Sequence, residues 1–226
     1  MRYSNLIAGL ALATCSGIAS AGLVIDSINV QMVSTKFSAR NLKGTGDENF
    51  AKALNAFESS EGSVCNEDLD AFEGVSYSGT CGGGKRNYGA LYTIAGSLTG
   101  AAEFQFGLDW GRGGFIVADS KDASVKYFNE DIWWAKNWNK KSEVKNYVLE
   151  DVGKFSLTLL GFEGCCDGIN SAQYRTWDTN TVQTLQRSRL PEPSEWQTLE
   201  VNAVPVPGSL PLMAIGALLM WRRRQS

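Results

Sequence analysis

The chain contains no histidine, which removes His-dependent catalytic triads and the commonest metal ligand together. Carboxylates, cysteines and tryptophans remain as the residues able to do chemistry. Two of the five cysteines adjoin in Gly164-Cys165-Cys166-Asp167-Gly168, and three of the seven tryptophans crowd one polar segment, Asp131-Ile132-Trp133-Trp134 with Asn137-Trp138-Asn139. Indole faces beside amides and carboxylates make a mixture that binds sugars, because sugar C–H faces stack on aromatic rings while hydroxyls need paired donors and acceptors. Asp131, Trp133, Trp134, Asn137, Trp138 and Asp167 are therefore the candidate ligand-binding residues. The competing reading makes these tryptophans core or loop-pinning residues.

No metal site is expected. Calcium is the alternative, with Asp131, Glu163 and Asp167 as oxygen ligands, although no D-x-D-x-D loop is present. Two such carboxylates could also serve as the acid and base of a glycosidase, but any acidic protein offers such pairs, so a non-catalytic protein is expected. Apart from Cys15, the cysteines are Cys65, Cys81, Cys165 and Cys166. Four in an exported chain imply two disulfides with three possible pairings. A bond between neighbours is unusual, since adjacent Cα atoms lie about 3.8 Å apart against the customary ~4.4–6.8 Å. Cys65–Cys81 with the adjacent pair is favoured because the first two bracket one modest loop; the alternative ties that loop to the CCDG turn.

The elements that must position these residues are mostly strands. Phe104, Phe106, Leu108 and Trp110 alternate with Glu103, Gln105, Gly107 and Asp109, the period of two that buries one sheet face. Further strands are expected at 23–30, 90–98, 114–118, 154–161, 172–177 and 196–201, separated by Gly, Asn, Asp and Ser clusters. Phe50, Leu54 and Phe57 recur at helical spacing after Asp47, a candidate N-cap, and predict one short helix on a loop or sandwich edge. The expected fold is mainly β, a single β-sandwich or jelly-roll-like domain.

The two ends differ from this domain. Arg2, the apolar run Leu6–Ala13 and the small residues Ala19-Ser20-Ala21 have the order of a signal peptide, cleaved after Ala21 by signal peptidase to leave Gly22 first. Ser209–Trp221 is apolar throughout and is followed by Arg222, Arg223 and Arg224. Thirteen helical residues rise only about 20 Å against roughly 30 Å of hydrocarbon, so this segment suits a transient inner-membrane anchor held by arginines on the cytoplasmic side. Of 21 basic residues four lie in the ends, leaving 17 against 24 acidic ones, a net charge of about −7. An acidic domain without a basic stripe excludes a nucleic-acid partner. The organisation is thus signal peptide 1–21, β domain 22–203 and C-terminal segment 204–226.

Val204-Pro205-Val206-Pro207, then the apolar run, then the arginine cluster resembles the PEP-CTERM sorting signal in its VPxP form. Valine stands at 206 where the commonest pattern has glutamate. The resemblance implies removal of the tail by an exosortase in a Gram-negative bacterium that makes exopolysaccharide. The prolines hold the junction extended, where a protease-like enzyme can grip backbone. Gly161-Phe162-Glu163-Gly164-Cys165-Cys166-Asp167-Gly168, with the tryptophan segment before it, resembles the CCxG group of PEP-CTERM proteins over roughly residues 104–179. That implies a β-rich extracellular domain and no particular activity. The expected function is an exported, exosortase-processed surface or matrix protein with exopolysaccharide as candidate partner. The alternatives are an adhesive matrix protein with no sugar site and a secreted glycoside hydrolase.

Overall fold

The computed structural model describes residues 22–62, 64–83, 87–119, 124–150, 153–177 and 194–202. The signal peptide, the sorting motif with its apolar tail, and Ala203 lie outside the described residues. Among the described residues no helix is long and apolar enough to cross a membrane.

The strands are β1 (Gly22–Ser34), β2 (Cys65–Asp68), β3 (Tyr88–Thr99), β4 (Ala101–Gly107), β5 (Gly114–Asp119), β6 (Ser124–Phe128), β7 (Val144–Glu150), β8 (Gly153–Glu163), β9 (Ser171–Trp177) and β10 (Gln197–Thr198). They form two antiparallel sheets, ordered β2-β1-β3-β8-β5-β6 and β10-β9-β4-β7. Ile28, Val30 and Met32 of β1, Tyr92 and Ile94 of β3, and Leu157 and Leu159 of β8 meet Phe104 and Phe106 of β4 and Tyr147 of β7 in one core. Phe104 and Phe155 touch edge to face across it, 6.0 Å between centroids. The fold is the expected mainly-β sandwich.

Strand phase follows burial. In β1 the inward set is Leu23 and Ile25, then Ile28, Val30 and Met32, because a bulge between Ile25 and Ser27 moves the pattern by one residue. In β8 the inward set Phe155, Leu157 and Leu159 continues through Gly161 to Glu163, so strand parity delivers a carboxylate to the end of the core. Leu160 and Phe162, on the opposite face of β8, are also buried. Helix α1 (Gly46–Glu58) covers them, its Ala53 and Phe57 meeting Val33, Phe115, Leu160 and Phe162 in a second cluster.

The helix therefore lies on the outer face of the larger sheet as a third layer, beside its edge strand β6. Its N-cap is Thr45, not Asp47: Thr45 Oγ1 accepts from Glu48 N at 3.3 Å and Glu48 Oε2 accepts from Thr45 N at 3.4 Å. The structure adds a second helix, α2 (Tyr77–Cys81), and a 3-10 turn at Ala39–Asn41 to the one helix expected. The strand expected at 196–201 pairs with β9 at Gln197–Thr198, with Leu199 N still donating to Ala172 O at 3.1 Å, and then leaves it, Glu200 bridging to Ala71 and Asn202 N donating to Ile25 O at 3.0 Å. Disulfides join Cys65 to Cys81, tying β2 to α2, and Cys165 to Cys166. Both are the favoured pairing, and such bonds belong to a chain that matures in an oxidising compartment.

Candidate functional site

The order β8-β5-β6 sets three chain segments side by side at one end of the sandwich: 163–166 leaving β8, 109–113 entering β5, and 131–133 following β6. The middle segment is bonded to both neighbours. Trp110 N donates to Ile132 O at 2.8 Å and Ile132 N returns to Trp110 O at 3.2 Å. On the other side Arg112 N donates to Phe162 O at 2.8 Å, and Phe162 N to Gly113 O at 3.0 Å.

Glycine makes this end possible. The Trp110 indole, fully buried, lies directly on β8 and β5: a Cβ on Gly161 would come within 1.9 Å of its ring and one on Gly114 within 2.4 Å. With Trp110 so seated, the residues on either side of it open into a cleft of about 570 Å3 lined by Asp109, Gly111, Arg112, Asp131, Trp133, Glu163, Cys165 and Cys166, with Arg40 from the 3-10 turn. Its volume falls within the ~300–1,000 Å3 usual for ligand sites.

Glu163 is only 2% exposed. Its Oε1 accepts from Gly164 N and Cys165 N, both at 2.6 Å, and its Oε2 from Gly111 N at 3.3 Å. A buried carboxylate is tolerable when so surrounded by donors. Asp109 has a different environment. Burial first, then the charge of Glu163, a hydrogen bond to Glu163 and the charge of Asp131 push its carboxyl up to about 7. Asp109 thus titrates around neutrality, well above an ordinary carboxyl. Arg40 Nη1 donates to Gly111 O at 3.2 Å and Arg112 Nη2 to Asn87 Oδ1 at 2.6 Å, which fixes two guanidiniums along the same cleft.

The CCDG residues divide their work. Cys165 and Cys166 form a wall of the cleft. Asp167, with φ of 55°, turns the other way: its Oδ1 accepts from Tyr77 N at 2.7 Å and its Oδ2 from Ser78 N at 3.0 Å, capping α2. Gly168 leaves the space that Asp109 needs, since a Cβ there would lie 2.0 Å from Asp109 Oδ2.

Of the residues expected to bind ligand, the structure brings Asp131 and Trp133 together in this cleft, Trp133 being 61% exposed. Trp134, 6% exposed, faces away and lies on β4, where a Cβ on Gly107 would meet its ring at 2.3 Å. Its ring centroid is 4.6 Å from that of Trp138, and both border a smaller recess of about 290 Å3 beside Gly74 and Ile169. Asn137 shapes its own turn, accepting from Asn139 N at 3.0 Å. Asp167 is committed to α2. The three proposed calcium ligands are thus split, and among the described residues no group of three acidic or thiol side chains is arranged to hold a metal ion.

Sequence reasoning passed over Asp109, Arg112 and Arg40. Alternation places Asp109 on the polar side of a strand running to Trp110, whereas β4 ends at Gly107. The available signal was the string Asp109-Trp110-Gly111-Arg112-Gly113-Gly114, whose clustered glycines weaken a continuing strand and mark a turn.

No family model matches the chain, and no curated protein does. Among solved structures it is similar to the PA14 domain of the antifreeze protein MpAFP, at 10% identity over 80% of this chain and 89% of that one, with a TM-score of 0.47. It is also similar to the A domain of Epithelial Adhesin 9 from Candida glabrata, solved in complex with Galb1-4GlcNAc, at 7% identity over 84% of this chain and 95% of that one, with a TM-score of 0.37.

Proposed function

We propose that this is an exported, exosortase-processed, non-catalytic protein of the cell surface or extracellular matrix, whose sandwich domain binds exopolysaccharide in the cleft beside Trp133. The itinerary begins with signal peptidase cleavage after Ala21, pauses on the inner membrane through the tail, and ends with release or re-attachment after cutting near Val204–Pro207. One observation carries the binding part: a largely exposed indole, Trp133, stands at a cleft whose lining also holds the carboxylates of Asp109, Asp131 and Glu163 and the guanidiniums of Arg40 and Arg112. An apolar face beside many donors and acceptors suits a sugar better than a hydrophobic ligand or a polyanion.

The test is retention of the full chain on immobilised exopolysaccharides and on a glycan array, beside the Trp133→Ala variant. Retention that disappears in the variant while its circular dichroism stays unchanged supports the reading. Absence of retention on any glycan, or equal retention by the variant, refutes it and leaves an adhesive protein without a sugar site.

A second reading, a secreted glycoside hydrolase, draws on the proton held by Asp109 near neutrality, the property of a general acid. Against it, Glu163 spends both oxygens on backbone donors. Release of reducing sugar from a bound polysaccharide, abolished by Asp109→Asn, would establish the hydrolase.

A further inference from the structure

We infer that the cleft grips one gluco-configured pyranose on both faces, between the Trp133 indole on one side and the Cys165–Cys166 disulfide on the other. This rests on the reading of the cleft as a saccharide site and adds the ligand's stereochemistry and a second contact surface.

Segment 109–113 is hydrogen-bonded to 132 on one flank and to 162–163 on the other, so the residues that follow each flank, Trp133 and Cys165–Cys166, stand on opposite sides of it. Both line the same cleft. The floor between them is polar: a Cβ on Gly111 would lie 3.2 Å from Glu163 Oε1 and 3.8 Å from Asp131 Oδ1, so these two carboxyl groups converge there, with Asp109 beside them.

The disulfide is an apolar, polarizable wall. Neither sulfur carries a proton to donate, and divalent sulfur makes favourable contacts with carbon surfaces. Both cysteines are exposed although nothing polar recommends them to water, and the backbone holds Cys166 at φ of 73°, a left-handed conformation that residues other than glycine adopt at a cost. A surface loop serving only to cap α2 through Asp167 would need no such pair.

Two apolar walls about a polar floor select among sugars by geometry. In a β-gluco-configured ring every ring substituent is equatorial, so both faces present only axial C–H groups and all hydroxyls point outward to the floor and rim. An axial hydroxyl, at C2 in mannose or C4 in galactose, spoils one of the faces and would be buried against a wall without a partner, which discriminates strongly.

Isothermal titration of the full chain with cellotetraose and with β-1,4-mannotetraose tests this, because the two differ only at C2. Cellotetraose is expected to bind about 10-fold more tightly, on the scale that an unpaired buried hydroxyl imposes. Cys165→Ala/Cys166→Ala is expected to weaken cellotetraose binding about 5- to 10-fold, the size of one lost apolar contact surface. Saturation-transfer NMR on the unaltered protein is independent of how that variant folds. It should transfer to H1, H3 and H5 on one face of a bound glucose ring and equally to H2 and H4 on the other. Transfer to one face alone, equal affinity for the two tetrasaccharides, or full affinity in a folded double variant overturns the inference, while Trp133-dependent cellotetraose binding in the same experiment leaves the saccharide reading standing. Binding of neither tetrasaccharide, with no other glycan retained, overturns both.

Discussion

Replacing Gly161 by alanine should damage both fold and cleft, through one atom. The new Cβ would lie 1.9 Å from Trp110 Cε2 and 2.0 Å from Cδ2, whereas carbon atoms in contact need about 3.5–4.0 Å. The indole would have to retreat by about 1.5 Å to restore that contact. It cannot do so towards β5, because Gly114 is already under its far edge at 2.4 Å by the same measure. Ordinary overpacking costs about 1–3 kcal/mol, and with a rigid ring between two strands the upper end or slightly more is expected, about 3–4 kcal/mol. That corresponds to a fall in Tm of roughly 8–14 °C for a domain of this size. Trp110→Leu alone should cost about 2–3 kcal/mol, since a smaller apolar side chain leaves part of the space empty. In the double variant the shorter side chain vacates the position the new methyl needs, so the two costs should fall short of additivity by about 2 kcal/mol. Urea denaturation followed by circular dichroism gives the four stabilities. Additivity within about 0.5 kcal/mol, or a cost below about 1 kcal/mol for Gly161→Ala, would refute the seating of Trp110 on Gly161.

Trp134→Ala should cost about 3–5 kcal/mol in stability, being buried on Gly107, whereas Trp133→Ala, largely exposed, should cost about 1 kcal/mol and act on ligand; thermal melts of the two variants decide. Asp109 holds a proton in the folded protein up to about pH 7 that the unfolded chain releases near its ordinary, much lower value, so its contribution falls as pH rises between them and is flat above. Asp109→Asn should flatten that slope and stabilise the protein at pH 8 by about 1–2 kcal/mol, after allowing for solvent screening of this half-exposed group, as read from denaturation at pH 5 and pH 8. Removing the Cys65–Cys81 bond, which spans 16 residues, should cost about 3 kcal/mol by freeing the unfolded chain, measurable on Cys65→Ser/Cys81→Ser in urea. Asp167→Ala should leave the first two N–H groups of α2 without their acceptor while Ser76 still caps Gly79 N, at a cost of about 1–2 kcal/mol, seen as faster amide exchange at Tyr77 and Ser78.

The parts of the fold visible in the chain are those where one face is wet. Phe104 and Phe106 alternate cleanly because β4 is buried on one side only, and Phe50, Leu54 and Phe57 mark α1 for the same reason. Alternation fails as a guide where both faces are covered, as in the last residues of β8 under α1, and there Glu163 reads as part of a motif although it also continues the inward row of Phe155, Leu157 and Leu159. β6 and β7 are edge strands whose inward residues are few: Tyr147 and Leu149 carry the period of two, but Lys145 breaks it after Val144. The tryptophan segment was legible as a site but not residue by residue. Trp133 and Trp134 are neighbours of one type, and what separates their roles is Gly107, far away in sequence and missing a side chain where Trp134 lands.

The bond between Asn202 and Ile25 has a mechanical consequence. It holds the last described residue near the end of the larger sheet where β1 and β8 begin, level with Phe155, while the cleft opens where β8 finishes at Glu163, eight residues on. At about 3.4 Å per residue the two lie roughly 27 Å apart along the strands. Tension between an attachment beyond Asn202 and a polymer gripped at the cleft would run parallel to the strands. The rungs of the ladder would share that load together and slide as a unit, where a pull across the sheet would open them one at a time.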